Sequence, residues 1–330
     1  SRFLLLMRAY LGSSLQLDET TPRLAALLDE VRTKLDFAPR PKPMPTAEQR
    51  RVGISVTDFD QLKSDPYSFY AKRVLRLRPM EPVDAEPDHK WRGILVHDIL
   101  EKWFRDDNCA PEKLIARAED LLTNGALDPI LRTLWQPRIA DGLRWIANET
   151  QRLRDEDGRR LLIAEEKGTF ALLGITITGR ADRIDAAADG SLIIMDYKTG
   201  GSPKPKQIYA GYALQLGLIG LMAERGAIKG VRGEALGFEY WSLGKDPKRG
   251  AFGYIAHATA TKASDKRKAA DEFVGFITKQ AEDALKLWIL GTEPFTAKLH
   301  PEFSNYADYD HLMRLQEWDG RQSIAEASGA

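Results

Sequence analysis

The 330-residue chain carries 48 basic and 48 acidic residues, so its formal net charge is zero and no global field advertises a polyanionic partner. A single cysteine, Cys109, excludes an intrachain disulfide and any four-cysteine zinc or iron–sulfur site built by this chain alone. Phe3 to Met7 is apolar but too short for a signal h-region or a membrane span, so a cytoplasmic location with no membrane partner is expected.

Residues 1–50 read as a helical appendage that ends in a linker, the tail of a preceding domain. Its second helix runs from Pro22 to about Leu35, with Leu24, Leu27, Leu28 and Val31 on one face. Four prolines between Pro39 and Pro45 cannot continue a helix and favour extended backbone. A helix capped by Ser55 or Thr57 runs to about Tyr70, with Tyr67, Phe69 and Tyr70 as core aromatics, and the proline- and acid-rich residues 79–89 form a loop. Trp91 to Phe104 is a helix with Trp91, Leu95 and Ile99 in one apolar row. His97 flanks that row, one turn after Gly93, whose missing side chain lets a backbone or a ligand come close. On position alone such a histidine reads as a core residue.

Residues 111–154 are helical in two or three pieces, broken near Asn124-Gly125, Pro129 and Pro137. Strands follow at Leu161 to Ala164, at Thr169 to about Leu173 and from Ile175 onward, making the middle of the chain a β-meander. Gln207 to Met222 returns to helical spacing, and Gln215 on its apolar face is either satisfied by backbone or aimed at a site. Glu234 to Trp241 and Phe252 to Ala258 are later strands around a basic turn, Lys262 to Leu290 is a long helix, and residues 321–330 form a disordered tail.

The chemistry concentrates in Thr178 to Gly200. Leu192 to Met195 is an apolar run of central-strand type, and Asp196, Tyr197 and Lys198 follow at its end. Strand alternation puts Asp196 and Lys198 on one face and Tyr197 on the other. Asp182 supplies a second carboxylate from the preceding strand. Two acids and a lysine on neighbouring strands are what a magnesium-dependent phosphodiester hydrolase needs: the acids hold a hard cation and the lysine serves the attacking water or the phosphate. A shared metal also sets a geometric condition. A two-residue Asp189-Gly190 turn would place Asp182 opposite Tyr197, so Asp182 and Asp196 meet only across an odd-length turn or a bulge.

Taken in order, Gly93-x-x-x-His97, Glu165-x-x-Gly168, Gly179-Arg-Ala-Asp182-Arg-Ile-Asp185, Asp196-Tyr-Lys198 and Tyr212-Ala-Leu-Gln215-Leu resemble the PD-(D/E)xK nuclease domain of the RecB-type exonucleases. The resemblance is strongest to the C-terminal nuclease domain of AddB-type helicase–nuclease subunits and runs from about Ser55 to Trp318, within a nuclease domain set at 51–320. It implies an α/β (α+β) fold with a restriction-endonuclease-like core: a central mixed sheet containing the meander, flanked by helices, with helical N-terminal and inserted segments. It implies His97, Asp182, Asp196 and the Tyr197 carbonyl as ligands of Mg2+, with Mn2+ able to substitute. Lys198 would engage the water or phosphate, Gln215 would help position the site, and Glu165, or its neighbour Glu166, would be the upstream acid.

The implied activity is exonucleolytic hydrolysis of single-stranded DNA ends, fed by the helicase subunit of an AddAB-type complex in double-strand break repair. The alternative is a catalytically silent module of the same fold, serving in DNA binding or subunit docking. Lys204, Lys206, Lys245, Lys248 and Arg249 are candidate DNA contacts, although such loops are usually just solvated. Many relatives clamp an iron–sulfur cluster with four cysteines; here Asp65 stands at the first position and no cysteine follows in the tail, so no cluster is expected. Hydrogen bonds and aromatic packing between residues 65–70 and the tail are expected to clamp instead. Ile219 stands where the family often has a tyrosine.

Overall fold

The computed structural model describes residues 2–12, 18, 20–29, 38–79, 89–124, 129–261, 265–304 and 307–319, with the side chains of 89–91, 121–124 and 129–136 outside that description. The chain divides into two compact units, one of residues 1–39 with 316–330, the other Arg40–Leu315. In the first lie α1 (Arg2–Leu11) and α2 (Thr20–Asp29), neither with a buried residue. Helix α2 starts before Pro22, which the first turn tolerates, and the expected continuation to Leu35 falls outside the described residues.

The larger unit is built on a six-stranded mixed sheet of order β1-β3-β4-β5-β6, with β2 paired to β3. The strands are β1 (Ile54–Ser55), β2 (Arg160–Leu172), β3 (Ile175–Ala186), β4 (Leu192–Lys198), β5 (Ala235–Lys245) and β6 (Phe252–His257). The expected meander β2-β3-β4 is antiparallel throughout, and β4 then pairs β5 in parallel through the crossover helix α9 (Gln215–Glu224). β4 is buried on both faces, which explains its unbroken apolar run. Ile194 joins a core with Phe59, Leu218, Phe238 and Phe273, drawn from α3 (Asp58–Ser64), α9, β5 and α10 (Ala270–Ala284). Ile193, Met195 and Tyr197 join a second core with Val96, Trp103, Leu143 and Ile146 from α5 (His89–Asp107) and α7 (Pro129–Glu156), between which runs α6 (Pro111–Asn124).

Several elements depart from periodicity, each for a local reason. The helix expected from Ser55 to Tyr70 stops at Asp65, because Pro66 cannot supply the next N–H; α4 (Pro66–Phe69) restarts it. Helix α7 runs through Pro137, whose position is exposed, so water can satisfy the freed carbonyl. β2 is one strand rather than two: a bulge at Leu161/Ile163 and a left-handed Glu165 (φ 55°) absorb the irregularity. The helix expected over 207–222 is split into α8 (Pro205–Tyr209) and α9 by Gly211 at φ 80°, against which the ends of Lys63 and Gln280 pack where a Cβ would stand. Helix α10 begins only at Ala270.

The proline segment is extended, as its composition demands, and it is stitched to the far end of the unit. Phe295 N donates to Pro43 O and Ala297 N to Pro41 O, both at 2.9 Å, while the Arg40 guanidinium donates to the Ala297 and Lys298 carbonyls. Residues 64–70 are clamped to the same stretch. Lys298 N donates to Asp65 Oδ1 at 2.9 Å, and Lys298 Nζ lies 2.8 Å from Asp310 Oδ1 and 3.5 Å from the fully buried Asp65 Oδ2. Phe69 stacks on Phe295, and Tyr309 Oη donates to Leu77 O. Hydrogen bonds, an ion-pair cluster and ring packing thus join the 65–70 region to the tail, with Tyr306 outside the described residues.

Candidate metal centre

The site forms where β3 forks. One edge of β3 is taken by β2; the other is shared, with β1 pairing at Ile177 and Thr178 and β4 only from Arg183 to Ala186. Asp182 therefore sits where strand partnership on that edge lapses, and its Oδ2 accepts the Tyr197 N–H at 3.0 Å in place of a backbone carbonyl. The β3–β4 turn contains three residues, Ala188-Asp189-Gly190, closed by Ala187 N to Ser191 O at 2.9 Å, with Gly190 at φ 85°. Arg183 pairs Met195, so the same register carried one step further sets Asp182 across from Asp196. The odd-length turn that a shared cation requires is present.

Four elements converge here. His97 comes from α5, Glu165 from β2, Asp182 from β3, and Asp196 and Lys198 from the end of β4. Donor atoms of His97, Glu165 and Asp182 all lie within 4.8 Å of one another. Asp196 stands outside that trio, engaged with Lys198 Nζ at 2.6 Å. Its charge nevertheless reaches Asp182: burial first, then Asp196, push the Asp182 carboxyl up to about 8. Burial opposes a charged imidazole at His97, yet the Glu165 hydrogen bond and then the Asp182 charge raise it to about 8. Lys198 is likewise desolvated, and Asp196 more than compensates, so its ammonium is held charged.

Two buried carboxylates facing each other, with Lys198 on Asp196 as the ammonium paired to them, are a poor arrangement for a metal-free protein. They suit a hard divalent cation, which takes oxygen donors and tolerates one imidazole. His97, Asp182 and Asp196 have the donor types to hold it. At Gly93, one turn before His97, the space a Cβ would occupy is open, which leaves this side of the helix free to a ligand.

Tyr197 is fixed from behind. Arg183, 3% exposed, makes a two-point ion pair with Asp185 at 2.7 and 2.8 Å, donates to Thr150 Oγ1 at 3.0 Å and to Tyr197 Oη at 3.4 Å, and lies over the Trp241 ring. Burial pushes the Tyr197 phenol up to about 12. The residue between Asp196 and Lys198 is thereby anchored by a buried network that α7 helps to build.

The other sequence candidates fall around this centre unequally. Gln215 is the first residue of α9 rather than mid-helix and is half-buried; its neighbour Leu214 donates its N–H to Asp60 at 2.9 Å. Glu165, not Glu166, is the acid turned into the site. Lys204, Lys206, Lys245, Lys248 and Arg249 are all exposed. Ile219 is buried in the core. Asp60 of α3 was missed. Burial pushes it up to about 6 against the Leu214 N–H and the charges of Lys198 and Lys63, and it feels Asp196 as well. Its sequence signal, an acid between core residues Phe59 and Leu62, is one that many amphipathic helices share.

Among curated relatives, a Rickettsia bellii uncharacterized protein is 30% identical over 183 residues, covering 51% of this chain and 21% of that protein. An ATP-dependent helicase/deoxyribonuclease subunit from Lactococcus lactis subsp. cremoris is 24% identical over 182 residues, covering 50% of this chain and 16% of its own length. The chain thus spans about a fifth or less of the length of these relatives. A solved structure from Eubacterium rectale, described as a candidate exonuclease, aligns over 81% of this chain and 95% of its own, with a TM-score of 0.42 and 13% identity. Among the described residues, no helix is long and apolar enough to cross a membrane. The model of the PD-(D/E)XK nuclease superfamily matches residues 53–297, most of the chain and every residue of the centre, and the chain belongs to that superfamily.

Proposed function

We propose that this chain is a divalent-metal-dependent deoxyribonuclease domain of the AddB type. It hydrolyses phosphodiester bonds from single-stranded DNA ends that a helicase partner delivers, in the processing of double-strand breaks. The observation that carries the reading is the gathering of His97, Glu165 and Asp182 donor atoms within 4.8 Å at the strand fork, with Asp196, ion-paired to Lys198, across the fork from Asp182. Similarity to helicase/deoxyribonuclease subunits supports the partner and the substrate.

The bound cation, Mg2+ with Mn2+ as substitute, would supply Lewis-acid activation of water and neutralise charge gathering on the phosphate. His97, Asp182, Asp196 and the Tyr197 carbonyl would hold it. Lys198 Nζ, paired with Asp196 and partly open to solvent, remains an ammonium; it orients water and the phosphate oxygens rather than accepting a proton. The water oxygen bonds to phosphorus and gives up one proton to solvent as the P–O ester bond breaks, and the departing oxygen takes up a proton from solvent. Asp60 and Gln215, on either side of the Leu214 N–H, position the Lys198 side of the site.

The test is cleavage of end-labelled single-stranded DNA in Mg2+ by the wild type, Asp196→Ala and Lys198→Ala. Activity should fall by about 100-fold or more in both variants; equal activity in all three, or none in any, refutes the reading. Lys204, Lys206, Lys245, Lys248 and Arg249 are proposed phosphate contacts. Replacing Lys248 and Arg249 by alanine should lower the slope of log affinity against log salt by about 1.4 for single-stranded DNA. An unchanged slope removes them from the interface.

A further inference from the structure

Glu165 offers donor atoms beside His97 and Asp182, which invites its assignment as a third metal ligand. Its own bonds argue for another task. Oε1 lies 2.7 Å from His97 Nδ1, and Oε2 accepts from the Arg180 guanidinium, so both oxygens are engaged within the protein. The side chain is 2% exposed, whereas Arg180, at 47%, reaches it from the rim. The other ring nitrogen, His97 Nε2, faces Asp182 Oδ2 at 3.8 Å, too far for a hydrogen bond and separated by a gap that two ligands of one ion would leave.

The backbone is bent to achieve this. Ala164 pairs Arg183 and Glu166 pairs Ala181, so Glu165 lies across from Asp182; its own φ is 55°, in the left-handed region that non-glycine residues rarely adopt. A strand residue in a regular conformation would send its side chain straight off one face of the sheet. Here the side chain instead meets the inner nitrogen of a ring carried by a helix.

We propose that Glu165 is a positioning residue that fixes the His97 tautomer and ring angle, holding the proton on Nδ1 so that Nε2 presents its lone pair toward Asp182, and that it does not itself ligate the metal. Arg180 anchors the carboxylate from the solvent side. The inference rests on the metal-dependent reading above. A neutral imidazole carries one N–H, and a carboxylate acceptor at Nδ1 decides which nitrogen is free. Such outer partners commonly change metal affinity by 10- to 100-fold.

The experiment uses the full chain and compares wild type, Glu165→Ala and Glu165→Gln. In Glu165→Gln the amide oxygen can still accept from Nδ1, while Arg180 is free to turn to water. Ring 15N NMR of the metal-free proteins, at a pH above the His97 titration, reads the tautomer directly. Mn2+ titration calorimetry reads affinity and stoichiometry. We expect Nδ1–H in the wild type and in Glu165→Gln, and a shift toward Nε2–H in Glu165→Ala. Mn2+ affinity should fall by about 10- to 100-fold in Glu165→Ala and by less than about fivefold in Glu165→Gln, with stoichiometry unchanged. Nε2–H in the wild type, or unchanged affinity in Glu165→Ala, overturns the proposal. So does a loss in Glu165→Gln as large as in Glu165→Ala, since a ligand would need the charge. Failure of the wild type to bind Mn2+ would instead overturn the metal-dependent reading, while the NMR result still decides the ring orientation.

Discussion

Asp182→Asn separates what the site costs from what it does. The amide oxygen can still accept the Tyr197 N–H that Oδ2 now accepts at 3.0 Å, so the fork keeps its hydrogen bond and loses only the ionisable group. The Asp182 carboxyl is raised from 3.8 to about 8 in the fold, by burial and then by Asp196. Between those values the unfolded chain is ionised while the folded one retains its proton, so metal-free wild type loses stability as pH rises across that window. At pH 7 the displacement corresponds to a ceiling of about 4 kcal/mol, at 1.36 kcal/mol per pH unit. His97 acts in the same direction: raised from 6.5 to about 8, it contributes stability below 6.5 that is lost as pH rises through 8.

Asp182 and His97 titrate over the same range, and the fraction of Asp182 that ionises holds the imidazolium, so the substitution also surrenders part of that His97 contribution. The net expectation at pH 7 is a gain of about 2 kcal/mol, smaller toward pH 5 and accompanied by loss of nuclease activity. Urea unfolding in a chelator, followed by tryptophan fluorescence, measures it. Adding Mn2+ should reverse the ranking, since only a chain that binds the ion gains from it. A variant no more stable than wild type at pH 7 in chelator, or a gain independent of pH, would refute the electrostatic account of the centre.

Two further outcomes test the frame. Lys298→Met leaves the fully buried Asp65 without its cation, which should cost about 3–5 kcal/mol and lower Tm by on the order of 10 °C, with Mn2+ affinity per folded molecule intact; an unchanged melt would show that the ion-pair cluster is not a clamp. Gly253→Ala places a Cβ at φ 93° into the Trp145 ring that packs against Trp241, so a loss of at least about 2 kcal/mol and altered tryptophan fluorescence are expected; a neutral substitution would mean that the α7–β6 contact can open freely.

The centre was legible in the sequence to the extent that local order encodes it. Asp196 and Lys198 follow directly from an apolar strand, and the condition on the β3–β4 turn follows from strand parity alone. Even the clamp on Asp65 could be anticipated as a contact region, although its cation, Lys298, carries no local mark. Three kinds of information were missing. Breaks such as those at Gly211 and Asp65 are decided by single residues that override helical spacing over a longer window. Asp60 depends on a non-local meeting, for it becomes part of the site only because α3 packs beside the start of α9, 154 residues away in sequence. Glu165 shows a third limit, since its position was readable but its left-handed backbone, which aims it at His97, was not.

The stitching of residues 40–45 to 295–298 carries a consequence for how the domain is made. Arg40 and Ala297 are 257 positions apart, so a chain leaving the ribosome N-terminus first displays one half of this seam long before the other exists. Closure pairs an early segment with a late one and must wait for nearly the whole unit to emerge. The fork at β3 can form earlier, but the shell around it cannot, and a nascent or C-terminally shortened chain would hold Asp182 and Asp196 in an unsealed fold. The sealed centre would therefore arrive late in synthesis, as a property of the finished domain.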